Sequence, residues 1–274
     1  MSRQYAIKPV RVALLGASGR MGRCLLCAIH ESTDFELVGA QVSQGSPAVG
    51  TDASALAGVD RDFGVRVCAQ YDVALEHADV VLDFSVAQAT PFHIKACVER
   101  GLALVVGTTG LGAGTIEQIA QAAQQIPVLL AANTSLGVNV LLALIEQAAR
   151  ALPPEYDIEI LDMHHRYKVD APSGTALALG AAAAAGRGRS LSELSDGIRG
   201  AQTGARAPGS IGFAVVRSGD VAGEHTVYLS GPGERLELTH RAHDRMTFAY
   251  GALRAGAWLR TRAAGQYAMA DVLG

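Results

Sequence analysis

The densest chemistry in the chain lies in the run Asp162-Met163-His164-His165-Arg166-Tyr167-Lys168-Val169-Asp170-Ala171-Pro172-Ser173-Gly174-Thr175. His164, His165, Arg166 and Lys168 put four potential cations at the end of a strand and directly before a helix. Neighbouring side chains alternate across a strand, so His164 and His165 face opposite ways unless the backbone turns between them. Positive charge concentrated at an apolar strand end is costly without an anion to meet it. An imidazole, which titrates at about pH 6.5, is a natural proton donor near neutrality. Pro172-Ser173-Gly174-Thr175 then opens a helix: Ser173 suits the N-cap, and Gly174 admits a ligand closely. The first N–H groups, with the Thr175 hydroxyl, can hold a carboxylate. Cations and a helix start together suit a carboxylated small molecule. The plainer alternative is a solvated basic loop before an ordinary capped helix. Zinc on His164 and His165 is disfavoured, because adjacent histidines reach one metal with difficulty and no cysteine or carboxylate completes the set at the usual spacing.

A second constellation, Gly16-Ala17-Ser18-Gly19-Arg20-Met21-Gly22, sits between a strand and a helix at the start of a βαβ unit. Glycines there allow a tight turn and let the backbone approach a pyrophosphate held on the helix N-terminal N–H groups. The alternative is a glycine turn that only lets helix and strand pack. An NAD site commonly places Asp or Glu at the end of the second strand, on the ribose hydroxyls. Here that place reads Gln41-Val42-Ser43-Gln44, and no acid occurs between Leu37 and Thr51. Without the carboxylate nothing repels a 2′-phosphate, and Arg20 is placed to pair with one. NADPH is therefore expected to be at least tolerated, alongside NADH.

These groups need a scaffold, and the first half alternates short apolar runs with helical patterns, as parallel sheets require. Strands are expected at Val10–Leu15, Glu36–Val42, Asp79–Phe84, Ala103–Val106 and Pro127–Ala132. Helices are expected after the glycine loop to about His30, near Thr90–Arg100 and near Thr115–Gln125. Beyond residue 133 the pattern changes. Gly137–Leu152 reads as an apolar helix; Tyr156, Ile158 and Ile160 alternate with Asp157 and Glu159 as a strand with one wet face. Ser173 opens a helix to about Ala185, and 211–241 holds three strand-like segments joined by Gly-rich turns, which suggests an antiparallel or mixed sheet. A last helix spans about Asp244–Arg262. The fold class expected is α/β: a Rossmann-type doubly wound parallel sheet over 1–134, with 244–274 returning to it, and a smaller α+β domain with a mixed sheet over 135–243.

Composition narrows the function classes. With 49% hydrophobic and 18% charged residues among 274, a sizeable core can be buried. Lys plus Arg total 23 against 26 acids, which excludes a strongly basic nucleic-acid binder and an acidic disordered tail. Met1–Lys8 shows no apolar leader, and the longest apolar stretches are too short or too interrupted to span a bilayer, so a cytoplasmic location is expected. Four cysteines do not make a disulfide scaffold. Cys24 and Cys27 are read as small packing residues on one helix, with Cys68 and Cys97 likewise. Glu224-His225 is read as an ion pair or subunit contact, His240 and His243 as solvated, and the run Ala176–Ala185 as a closely packed helix.

Taken in order, "VALLGASGRMGR", "VVGTTG", "AANTSLGVNV", "HHRYKVDAPSGTAL", "GFAVVRSGDVAGEHTV" and "HDRMTFAYGALRAGAWL" resemble the 4-hydroxy-tetrahydrodipicolinate reductase family, also called dihydrodipicolinate reductase, over nearly the whole chain. The resemblance implies reduction of a cyclic imine dicarboxylate, with loss of its hydroxyl, on the diaminopimelate route to lysine, using NADPH or NADH. It implies that His164 donates the proton, that Lys168 is its catalytic partner, and that His165, Gly174 and Thr175 hold the substrate carboxylates. Cofactor contacts implied are Gly16, Ala17, Ser18, Gly19, Arg20, Met21, Ser43, Gly107, Thr108, Thr109, Ala131, Ala132, Asn133, Thr134 and, near the last helix, Arg245. It also implies a homotetramer built on a sheet of the second, substrate-binding domain; no metal, nucleic acid or membrane is expected. The chain departs from the family pattern at Val42 and Ser43, where an acid and a base are frequent, and at Thr134, where an aromatic ring is common. A semialdehyde dehydrogenase would need a cysteine in the substrate loop, and there is none. A nucleotide sensor has no use for a lysine four residues from a histidine beside a carboxylate-binding helix start.

Overall fold

The structure is a computed structural model that describes residues 8–198 and 204–274. Residues 1–7, which hold most of the stretch inspected for a leader, lie outside the described residues. The chain divides into two compact units, one built from the chain up to Ser135 together with Met246–Gly274, the other from Leu136–Arg245.

The first unit begins β1 (Val10–Leu15), α1 (Arg20–Glu31), β2 (Phe35–Gln41), α2 (Ser54–Ala57), β3 (Val67–Cys68), α3 (Tyr71–Leu75) and β4 (Val80–Asp83). It continues α4 (Thr90–Arg100), β5 (Ala103–Val106), α5 (Ala113–Ala122) and β6 (Pro127–Leu130). Val, Leu and Ala dominate the central strands because both faces are covered; β4 and β5 are buried at every position. All strand pairs here are parallel, in the order β3-β2-β1-β4-β5-β6. The order reverses between β1 and β4, which opens a crevice beyond their carboxyl ends where ligands of such sheets bind.

The second unit holds α6 (Leu136–Ala151), β7 (Asp157–His164), α7 (Gly174–Gly186), α8 (Leu191–Leu194), β8 (Ser195–Ile198), β9 (Ile211–Arg217), β10 (Gly223–Gly231) and β11 (Glu234–Ala242). Its sheet is mixed, with order β11-β10-β7-β9-β8. β7 enters between β9 and β10, so those two neighbours in sequence do not pair: β7 runs parallel to β9 and antiparallel to β10. Ile158, Ile160, Ile211, Phe213, Val227 and Leu229 pack under α6 and α7. The Ala/Gly run makes that packing close, since a Cβ at Gly186 would lie 2.4 Å from the Glu146 carbonyl and one at Gly180 2.8 Å from the Phe213 ring. No helix among the described residues is long and apolar enough to cross a membrane.

The chain then re-enters the first unit as α9 (Met246–Leu259), β12 (Gly265–Tyr267) and α10 (Met269–Leu273). β12 adds a seventh parallel strand beside β6. α9 is admitted by Gly251, where a Cβ would stand 1.8 Å from the Thr134 carbonyl oxygen. The Thr134 hydroxyl donates to Phe248 O at 2.7 Å and ties the end of β6 to the same helix.

Candidate active site

At the crevice of the first unit the backbone turns sharply at Gly16, φ +83°, and its N–H and that of Ala17 both donate to Gln41 O at 3.0 Å. A Cβ on Gly16 would meet Phe84 O at 2.6 Å, and one on Gly22 would meet Gly16 O at 2.3 Å. The glycines are therefore required by the approach of β4 and by the turn of α1 over its own loop. Gly19 caps α1, with no side-chain cap and no acid in the first turn, so the helix start presents bare N–H groups. Gly16, Ser18, Gly19 and Ser43 line a cavity of about 570 Å³. Val42 is buried, and no acid lines the cavity rim at Ser43 and Gln44. A donor-rich, acid-free cradle of this kind fits a nicotinamide dinucleotide phosphate chain.

The floor of that crevice is a buried polar knot which sequence reasoning missed. Asp83, at the end of β4, is fully buried and accepts hydrogen bonds from the Ser85 hydroxyl (2.6 Å), the Ser85 N–H (3.1 Å), the Thr90 hydroxyl (2.9 Å) and the Thr108 hydroxyl (3.0 Å). His93 Nδ1 lies 3.1 Å from Oδ2, the same oxygen that accepts the Thr90 hydroxyl. These donors outweigh the burial that opposes ionisation and hold the Asp83 carboxyl below the usual range. The Thr108 side chain is thus turned inward onto Asp83, while Thr109 is exposed beside it. Ala17, Arg20, Met21, Gly107, Thr109, Ala131, Ala132 and Asn133 are not among the cavity's lining residues; Arg20 stands exposed on the first turn of α1. Arg245 falls in the second unit. None of the four cysteines forms a disulfide, and burial pushes the thiols of Cys27, Cys68 and Cys97 up, which suits packing rather than chemistry.

In the second unit the alternation of β7 continues past its isoleucines: Ile158, Ile160, Asp162 and His164 all face inward. Asp162 is fully buried, and its carboxylate organises the strand end and the helix start around it. One oxygen, Oδ2, accepts the Ser173 N–H at 2.8 Å and faces Arg217 at 3.3 Å. The other, Oδ1, lies 2.8 Å from His164 Nδ1 and 3.3 Å from His225 Nε2. Against the desolvation that opposes its ionisation, His164, His225 and both the N–H and the hydroxyl of Ser173 hold the Asp162 carboxyl well below the carboxylate range. Ser173 caps α7 by accepting the Ala176 N–H at 3.1 Å, and the same hydroxyl lies 3.1 Å from His225 Nε2. Strand and helix are thereby pinned together through one acid.

The loop between them carries the cations. β7 ends at His164, and the chain turns there, with the Lys168 N–H donating to His165 O at 3.1 Å. His164 is 9% exposed, His165 is part-buried, and Lys168 Nζ reaches both oxygens of Asp170 at 2.8 and 2.9 Å. Gly174 is exposed and Thr175 part-exposed on the first turn of α7. A Cβ at Gly223 would lie 3.1 Å from His164 Nε2, so a glycine keeps that nitrogen approachable.

Three expectations change. A carboxylate does stand near His164: nitrogen or oxygen atoms of Asp162, His164 and His225 lie within 4.8 Å of one another. Because Asp162 Oδ2 is already engaged and Oδ1 sits between two rings, the set is a carboxylate–imidazole network. His225 is thus buried against Asp162 in that network, while Glu224 pairs separately with Arg241 at 3.1 Å. His240, expected in solvent, is part-buried opposite His225, and burial lowers its basicity. The signal for Asp162 was present in the period of two along β7; that for His225 appears only when β10 is paired with β7, which sets it opposite Asp162.

Comparison with known proteins agrees with this arrangement over the whole chain. The description of the dihydrodipicolinate reductase N-terminus matches residues 10–134, and that of its C-terminus matches residues 137–273. The 4-hydroxy-tetrahydrodipicolinate reductase of Alkalilimnicola ehrlichii is 50% identical over 264 residues, 96% of this chain and 98% of the relative. That of Burkholderia vietnamiensis is 47% identical over 265 residues, 97% of this chain and 99% of the relative. Among solved structures, a dipicolinate-bound dihydrodipicolinate reductase from Paenisporosarcina superposes with a TM-score of 0.75 at 22% identity, covering 95% of this chain and 97% of its own. An amine dehydrogenase from Mycobacterium smegmatis shares the fold more distantly, with a TM-score of 0.56 at 13% identity over 94% of each chain. Matched in both halves and nearly end to end, the chain belongs to the dihydrodipicolinate reductase family.

Proposed function

We propose that this chain is an oxidoreductase that reduces (2S,4S)-4-hydroxy-2,3,4,5-tetrahydrodipicolinate to 2,3,4,5-tetrahydrodipicolinate and water, in the diaminopimelate route of lysine biosynthesis. The observation that carries it is the β7–α7 loop, where His164, His165 and Lys168 stand on the approach to a helix start pinned by Asp162. A nicotinamide dinucleotide supplies the hydride when bound. His164 donates the proton that leaves with the hydroxyl as water, and Lys168 neutralises developing negative charge beside it. His165, Gly174 and Thr175 hold the two carboxylates and so orient the ring.

The dinucleotide would be held by Gly16–Met21, Ser43, Gly107, Thr108, Thr109, Ala131–Thr134 and Arg245. Both NADPH and NADH are accepted on this account, because no acid lines the rim near Ser43 to repel a 2′-phosphate. The outer face of the second unit's sheet, with Leu161, Met163, Ala214 and Val216 at least partly exposed, supports assembly of a homotetramer through that sheet. The enzyme is taken to work in the cytoplasm.

The test is loss of nicotinamide absorbance with the unstable substrate generated in situ by the preceding synthase, NADPH and NADH side by side. Synthase-dependent oxidation is expected with both. Folded, cofactor-binding protein that oxidises neither would overturn the assignment, and a large preference for NADH would overturn the argument from the missing acid.

A further inference from the structure

The buried acid behind the proton donor does two separable things. Its Oδ2 builds the loop, through the Ser173 N–H and Arg217, whose guanidinium also reaches Asp170 O at 2.6 Å. Its Oδ1 is left to two imidazoles, 2.8 Å from His164 Nδ1 and 3.3 Å from His225 Nε2. The two rings meet edge to face at 5.2 Å between centroids. Neither Oδ1 nor His164 Nδ1 has an aligned hydrogen-bond partner among the described residues, and each is the polar atom standing nearest the other, at 2.8 Å. A brace alone would not need a fully buried carboxylate with one oxygen reserved for histidines, given what it costs to desolvate such a charge.

We infer that Asp162 is a positioning residue for His164, fixing its neutral ring as the Nδ1–H tautomer, with His225 and Ser173 holding the carboxylate in place. An acceptor at Nδ1 keeps the proton on that nitrogen, so the proton delivered to substrate comes from Nε2, the nitrogen that faces Gly223. When Nε2–H gives up its proton, the ring is left as Nδ1–H against a carboxylate, its preferred partner. This rests on His164 being the proton donor, as proposed above.

Asp162→Asn is the informative change, because the amide has only one way round. The Oδ2 position is ringed by donors, so the amide oxygen belongs there and the NH₂ faces His164 Nδ1. The ring must then carry its proton on Nε2 when neutral. The experiment is ¹⁵N spectroscopy of histidine-labelled enzyme above about pH 8, where an ordinary imidazole is neutral, alongside steady-state kinetics. Wild type is expected to show His164 as the Nδ1–H tautomer, and Asp162→Asn as Nε2–H. The variant's kcat should fall on the order of 100-fold or more while KM for the substrate changes little, the mark of a wrong tautomer in an intact site. His225→Gln should leave the tautomer unchanged and lower kcat by less than about tenfold. A wild-type His164 protonated on Nε2 overturns the inference whether or not any variant folds, as does Asp162→Asn keeping the Nδ1–H form. If wild type does not turn over at all, the proposed reaction fails while the tautomer result still stands by itself.

Discussion

Replacing Ser173 by alanine removes one hydroxyl that serves two buried partners. It accepts the Ala176 N–H at 3.1 Å, which caps α7, and it lies 3.1 Å from His225 Nε2. Loss of an N-cap acceptor costs about 1 kcal/mol. Loss of a buried hydrogen bond to an imidazole costs about 1 kcal/mol more. Ser173 is 2% exposed, so water does not replace either partner. The sum, about 2 kcal/mol, lowers the folding equilibrium of the second unit roughly 30-fold. Ser173→Thr keeps the oxygen and should lose less than half as much. The assay is urea unfolding followed by far-ultraviolet circular dichroism, since the single tryptophan, Trp258, lies on α9 in the first unit and does not report on α7. Ser173→Ala within about 0.5 kcal/mol of wild type, or Ser173→Thr as damaging as Ser173→Ala, would refute the double role given to this hydroxyl.

Gly251→Ala should drive α9 off its seat, since the new Cβ meets a backbone carbonyl at 1.8 Å; a loss of roughly 3 kcal/mol is expected, read from Trp258 fluorescence, and an unchanged unfolding midpoint would contradict it. The Asp83 carboxyl is held low in the folded protein, so the stability it contributes is complete above the unfolded carboxyl value of about 3.9 and drains away as pH falls towards the folded value. Asp83→Asn should therefore be less stable at pH 7 yet lose less between about pH 5 and pH 2 than wild type; parallel curves would show that Asp83 is not part of the acid response. Ser43→Asp puts a carboxylate on the cavity rim and should cut kcat/KM with NADPH at least about tenfold while sparing NADH. Lys168→Ala should lower turnover by about 100-fold or more with cofactor binding and stability intact, because Lys168 pairs with Asp170 within its own loop; full activity would remove it from the chemistry.

Much of the fold was legible because the runs that form β1, β4, β5 and β6 are buried on both faces and can be little else. The second strand begins one residue earlier than expected, at Phe35, and ends at Gln41, leaving Val42 buried just beyond it. The elements that went unread are short: β3 and β12 have two and three residues, and β8 is mostly exposed, so none carries a period. The insertion of β7 between β9 and β10 joins residues distant in sequence, and local pattern does not encode it. The cationic loop and the Ser173 cap could be read directly, since charge and helix-start chemistry are local. Asp162 is an acid on the buried face of β7 that owes its role to groups from other elements, and His225 meets it only through strand register. Thr134 stands where the family commonly has an aromatic ring, and its hydroxyl donates to Phe248 O on α9, a partner distant in sequence.

As a dihydrodipicolinate reductase, this chain moves a hydride onto the ring that loses the hydroxyl. The direct measurement is mass spectrometry of the product formed from synthase-generated substrate with cofactor deuterated at the transferring position. One deuterium in tetrahydrodipicolinate per cofactor oxidised is expected. Oxidation of the deuterated cofactor with no deuterium in that product would contradict it.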